Sequence, residues 1–181
     1  MSLNFYAGID NFKIDSKDNT SIAIKLPSGG LAHQLDLLRQ LKDQSVVHIL
    51  VETAVIEYEE EVDIEDQQAK MRYFKDVNGK WTSEMSEQTN LLGDDGYQKT
   101  SKQITADVVD QFLQTQSYDY GSDFKPKSVL NMMSEGYDYD DIAKQIKMTT
   151  ITMLDELNKA RDIFAPYAAA WQEEQQQKED N

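Results

Sequence analysis

Apolar positions recur every second residue at the start of the chain and then switch to helical spacing. Phe5 to Ile14 has the pattern of a strand, and Asp15-Ser16-Lys17-Asp18-Asn19 supplies turn chemistry. Ile22, Ala23, Ile24 and Leu26 follow as a second strand, which Pro27-Ser28-Gly29-Gly30 stops. Leu31, Leu35, Leu38 and Leu41 then put leucine on one helical face, opposite His33, Gln34, Asp36, Arg39 and Lys42. Val46 to Val51 is rich in β-branched residues and predicts a buried strand that runs on through Val55, Ile56 and Tyr58. The order predicts a compact α+β unit over residues 1–62, with one amphipathic helix packed on a small sheet.

The pattern then changes. Glu52, Glu57, Glu59, Glu60, Glu61, Asp63, Glu65 and Asp66 follow one another with no Lys or Arg between them. Such a run repels itself, so an acidic and polar linker is expected over 63–104. Within it, Met71 to Asp76 and Lys80 to Thr82 flank Asn78-Gly79, which predicts a hairpin at 71–83 closed by a two-residue turn. Residues 172–181, Gln172 to Asn181, have nothing to bury and are expected to fray as a disordered tail.

Helical spacing returns in the last third, a predicted domain over 105–171. Thr105 is placed to cap a helix carrying Val108, Val109, Phe112 and Leu113. Pro126 can open the next, and Gly136 can close it. Asp138 can cap a helix from Tyr139 to Ile146, with Ile142, Ala143 and Ile146 facing inward. After a short turn at Lys147-Met148, Thr149 can cap a last helix with Met153, Leu157, Ala160 and Phe164 at core spacing. Trp171, after Ala168-Ala169-Ala170, predicts packing at the end of that helix or an oligomer contact.

Leu130, Met133, Glu135-Gly136-Tyr137, Asp141-Ile142-Ala143, Ile146, Met148-Thr149, Thr152-Met153 and Leu157 stand in the order and spacing of a helix-turn-helix. Residues 127–164 resemble those of the LuxR-type regulators and of sigma-factor region four, and Leu157-Asn158-Lys159-Ala160-Arg161 is similar to the closing helix of the sigma version. The resemblance implies that small Ala143 lets two helices cross closely. It also implies a recognition-helix surface made of Thr149, Thr150, Ile151, Leu154, Asp155, Asn158 and Lys159. In those families that face is basic and polar, as contact with phosphates and base edges requires. Here residues 126–166 hold five bases (Lys127, Lys144, Lys147, Lys159, Arg161) against seven acids (Glu135, Asp138, Asp140, Asp141, Asp155, Glu156, Asp162).

The whole chain repeats that imbalance, with 18 Lys and Arg against 33 Asp and Glu for a formal charge of -15 over 181 residues. Such a surface repels phosphate at long range. Acidity of this kind serves solubility, or docks the chain on a basic partner, as a DNA mimic does. No cysteine is present, which excludes disulfides and thiolate metal sites and fits a reducing compartment. No stretch approaches the roughly 20 apolar residues of a membrane span and no signal peptide opens the chain, so a cytoplasmic protein with no membrane partner is expected.

Candidate chemistry is sparse. His33 and His48 have no third ligand at recognisable spacing, and Asp138-x-Asp140-Asp141 lacks the glycine and distal Glu of a calcium loop. With no phosphate loop and no catalytic triad spacing, neither an enzyme nor a cofactor is expected. Short, acidic, cysteine-free chains of this layout look like accessory proteins of Gram-positive phages and prophages. The expected function is a non-enzymatic adaptor in a DNA transaction, with a protein partner that is either itself or a basic protein. The alternative is a sequence-specific DNA-binding transcriptional regulator. Charge disfavours DNA.

Overall fold

The computed structural model describes residues 8–16, 20–25, 39, 54–65, 67–86 and 96–179. The chain divides into two compact units, Met1–Glu52 and Thr53–Asn181. In the first, β1 (Gly8–Ile14) and β2 (Thr20–Lys25) pair antiparallel, with Phe12 opposite Ile22 and an irregularity between Ile9 and Asn11. The leucine helix expected at 31–42, Arg39 apart, and the strand run 46–51 lie outside the described residues.

The second unit is mixed α+β. It contains β3 (Val55–Asp63), β4 (Met71–Lys75), β5 (Trp81–Met85), β6 (Tyr97–Thr105), α1 (Ala106–Thr115), α2 (Pro126–Ser134), α3 (Tyr139–Gln145) and α4 (Thr150–Glu179). The strand expected through Val55, Ile56 and Tyr58 is present and continues through the acidic run to Asp63. It is a nine-residue strand antiparallel to β6, and Val55 stands opposite Thr105 and Asp63 opposite Tyr97. The bases missing from the run arrive from elsewhere in the chain. Lys99 reaches Glu59 at 2.7 Å, Lys102 reaches Glu60 at 2.5 Å, Lys70 reaches Glu61 at 2.7 Å, and Ser101 Oγ donates to Glu57 at 2.5 Å. Cross-strand pairs of opposite charge stabilise a sheet by a few tenths of a kcal/mol to about 1 kcal/mol each, which offsets repulsion along the run. Consequently β3 belongs with the second unit, and 63–104 holds strands where a linker was expected; its residues 87–95 are outside the described ones.

An isolated bridge joins Val62 to Ala69, and Lys70 N–H donates to Glu61 O at 2.8 Å, bringing the start of β4 against the end of β3. β4 and β5 pair from Met71 opposite Met85 to Lys75 opposite Trp81. Their loop has three residues rather than two. Asp76 N–H donates to Lys80 O, Gly79 N–H donates to Asp76 O, and Gly79 takes φ +76°. That is a type I turn followed by a left-handed residue, the usual three-residue closure, and it leaves Val77 wholly exposed.

Strands and helices share one core. Ile56, Trp81 and Ile104 join Val109, Phe112 and Leu113 of α1, Val129 and Leu130 of α2, Ile142 and Ala143 of α3, and Met153, Leu157, Phe164 and Trp171 of α4. Phe112 lies at its centre, with Trp81 5.5 Å and Trp171 6.1 Å away in edge contacts. Trp171 thus closes the core rather than standing out from it. Burial pushes the Tyr118 hydroxyl up to about 12, and it stays protonated to donate to Leu113 O at 3.0 Å.

The helix ends follow local chemistry. Gly136, at φ +86°, ends α2: Tyr137 N–H donates to Met132 O and Gly136 N–H to Met133 O, a Schellman closure. α3 repeats it with Lys147 at φ +59°, where Met148 N–H donates to Ala143 O and Lys147 N–H to Lys144 O. Asp138 accepts from Asp140 N–H at 3.0 Å to open α3, and Thr149 Oγ1 accepts from Thr152 N–H at 3.1 Å to open α4. The tail expected to fray from 172 instead continues α4 to Glu179. Nothing after Pro166 breaks the helix, Gln, Glu and Lys are good helix formers, and Lys178 pairs with Glu174 one turn back at 2.7 Å.

Candidate interaction face

The first four turns of α4 carry the residues singled out from the sequence. Successive residues of a helix step by about 100°, so Met153, Leu157, Ala160 and Phe164 turn inward and are buried. Ile151, Thr152, Asp155, Asn158, Lys159 and Asp162 turn outward and are exposed. Ile151 is 74% exposed, a large apolar side chain in open solvent. Thr149 is exposed as well, and Thr150 is half-buried.

Leu154 departs from expectation. It lies at the boundary of the helix, half-buried and packed against the core, because its 40° offset from Thr150 leaves it on the shoulder of the buried stripe. The outward face therefore consists of Ile151, Asp155, Asn158 and Lys159, with Thr149 and Thr150 at its head. Thr149 is occupied in capping, and Thr150 Oγ1 donates to Asp140 Oδ1, tying the start of α4 to the first turn of α3.

The electrostatics of this face come from pairs that sequence spacing does not announce. Lys159 bonds Glu156 at 2.7 Å; each holds the other charged, the lysine raised and the glutamate lowered. Tyr120 reaches the same glutamate from outside the helix, its hydroxyl donating to Glu156 O at 3.2 Å. Burial raises the Tyr120 hydroxyl, and the Glu156 carboxylate adds to that. Arg161 is not on the surface. It is 8% exposed, and its Nε and Nη2 grip both carboxylate oxygens of Asp110 at 2.8 and 2.7 Å, while Nη1 donates to Asn158 Oδ1 at 3.0 Å. Lys144 bonds Asp141 at 3.3 Å. Of the five bases over 126–166, three are thus paired with carboxylates.

The arrangement offers a rigid apolar point at Ile151 among carboxylates, and no convergence of donors on a phosphate. Among the described residues no group of three or more His, Cys, Asp or Glu side chains could hold a metal ion. No helix among them is long and apolar enough to cross a membrane. Comparison with protein-family models, with curated proteins and with solved structures finds no match to this chain.

Proposed function

We propose that this protein is a non-enzymatic accessory or adaptor of a DNA transaction, acting through protein contacts on the outward face of α4 from Thr149 to Lys159. One observation carries the proposal: the helix that resembles a reading helix presents Ile151 and Asp155, while Arg161 is buried on Asp110 and Lys159 is bonded to Glu156. Binding to DNA draws most of its affinity from cations that displace counterions, and this face supplies few. An exposed isoleucine on a rigid helix is instead the kind of apolar anchor that a protein interface buries. A cysteine-free, acidic chain of the layout seen in phage and prophage accessory proteins fits a cytoplasmic place and a basic partner, with no cofactor.

A DNA-binding regulator is the second reading. It is favoured by the tight closure between α3 and α4, which holds the start of α4 rigidly forward as a groove-reading helix is held. Titration of a labelled random duplex at two salt concentrations separates the two. The expected result is negligible binding at physiological salt, weaker than the roughly 10⁻⁴ to 10⁻⁶ M of nonspecific DNA binders. Micromolar affinity that falls steeply as salt rises would replace the adaptor with the regulator.

A further inference from the structure

The side of the β3–β6 pair that meets α4 has an unusual make-up for a core face. Its cross-strand partners are Ile56 with Ile104, Tyr58 with Lys102, Glu60 with Thr100, and Val62 with Gln98. Ile56, Ile104 and Val62 are buried, Gln98 and Lys102 are exposed, and polar side chains occupy the middle of the pair. α4 lines the same region with Pro166, Ala169 and Ala170, whose side chains are small. The result is a cleft of about 360 Å³, open to solvent, with Tyr58, Glu60, Tyr73, Lys102, Ala170 and Glu173 on its walls.

Packing alone does not call for these polar side chains. Glu60, 14% exposed at its side chain, is held by Lys102 at 2.5 Å. The Lys102 side chain keeps 45% of its exposure, and an ion pair so open to water contributes little to stability. Polar groups at core-facing positions without a stabilising reason are where a sequence gives up packing for function.

The charge balance of the cleft selects its ligand. Two carboxylates, Glu60 and Glu173, face one ammonium, Lys102, and that ammonium is already bound to Glu60. One negative charge is left over, so an anion would be repelled and a cation attracted. Burial raises both tyrosine hydroxyls; at Tyr58 the Lys102 ammonium opposes that rise while Glu60 and Glu173 add to it, and at Tyr73 Tyr167 and Glu60 add to it. Tyr73 is fixed by an edge contact to Tyr167 at 4.6 Å, and Tyr167 in turn donates to Ser83 Oγ at 2.9 Å. Aromatic walls beside a carboxylate are the means by which proteins hold organic cations, through the negative faces of the rings. The volume lies at the lower end of the roughly 300–1,000 Å³ usual for ligand pockets, which suits a small group.

We propose that this cleft binds an alkylguanidinium or alkylammonium group of the size of an arginine side chain, with Glu173 and Glu60 meeting the charge and Tyr58 and Tyr73 lining the stem. The site is separate from the outward face of α4 and does not depend on what that face contacts. The group could arrive on a free amine or on a protein chain, and the test separates these sources. Full-length protein with ¹³C-labelled tyrosine is titrated with agmatine, with the peptide Gly-Ser-Arg-Ser-Gly, and with the same peptide carrying neutral citrulline for arginine. Shifts at Tyr58 and Tyr73 are expected with agmatine, with the arginine peptide, or with both, but not with the citrulline peptide. Agmatine alone assigns the site to a free cation, and equal or tighter binding of the peptide assigns it to a protein chain. Glu173→Gln, exposed and harmless to folding, should weaken the binding about tenfold, as loss of one charge-assisted hydrogen bond does. Ala170→Leu should abolish it by filling the cleft. No shift at either tyrosine with either cation, equal binding of the citrulline peptide, or an undiminished affinity in Glu173→Gln would overturn the proposal.

Discussion

Arg161 shows how far a residue's role depends on what surrounds it. By sequence it is one of five bases in a segment similar to DNA-reading helices. In the fold it is a buried clamp between α4 and α1, its guanidinium forked onto Asp110. A buried guanidinium that loses its carboxylate is costly even where Asn158 still accepts from it, because neither water nor an opposite charge then compensates the ion. Asp110→Ala should therefore destabilise the protein by about 3 kcal/mol, the low end for a broken buried pair, since the Asp110 side chain retains 23% of its exposure. The double variant Asp110→Leu with Arg161→Met should recover most of that loss, because an apolar pair of similar volume avoids desolvation altogether. Urea unfolding of the two variants measures both. A double variant no more stable than Asp110→Ala would mean that the ion pair itself, rather than the avoidance of a lone charge, stabilises the contact.

At the scale of the element, α4 separates its core from its contact face by a single residue step. Ile151 and Leu154 are both apolar and three residues apart, yet one is 74% exposed and the other packs on the core. Spacing alone assigns both to the outside only if the helix is rotated by about half a residue, and periodicity does not settle so small a rotation. The capping of Thr149 and the bond from Thr150 to Asp140 settle it by fixing where the first turn starts. Leu154→Asp should thus cost about 1–3 kcal/mol, since it puts a carboxylate against apolar neighbours. Ile151→Asp should leave stability within about 0.5 kcal/mol, as surface changes do. Thermal melts of the two variants at neutral pH test the pair. Equal losses would show that the buried stripe of α4 is wider than the contacts described.

At the scale of the whole molecule, the boundary between units lies at Glu52–Thr53, ten residues before the end of the expected α+β unit. The strands β3 to β5 share buried residues with the helices through Ile56 and Trp81, so cutting them would open the core. Limited proteolysis should consequently leave a resistant fragment that begins near Thr53 and shows no cleavage between Met71 and Met85. Peptide mapping by mass spectrometry reads the sites directly. Early cleavage inside the β4–β5 hairpin, with release of a stable piece starting near Thr105, would restore the acidic segment to a linker.

Local chemistry governs whatever could be read along the chain. Pro126, Gly136, Asp138 and Thr149 each act on a backbone group within a few residues, so the starts of α2, α3 and α4 and the ends of α2 and α3 were legible, whereas α4 runs on to Glu179 past its expected end at 171; the Asn78-Gly79 hairpin was legible too, though its loop holds one residue more than that dipeptide implies. The inward stripe of α4 was legible from its spacing, except that Leu154, expected on the outside, packs on the core. The rest depends on contacts between segments far apart in the chain. The glutamates of β3 look like a self-repelling run until Lys99, 40 residues further on, lies beside Glu59 in the fold. The charge of Arg161 counts toward the surface until Asp110, 51 residues earlier, removes it. The cleft brings Tyr58 and Glu60 of β3 together with Ala169, Ala170 and Glu173 of α4. In each case the partner is remote in sequence. Coulomb attraction and packing depend on distance in space, and no periodicity along the chain encodes which distant segments will meet.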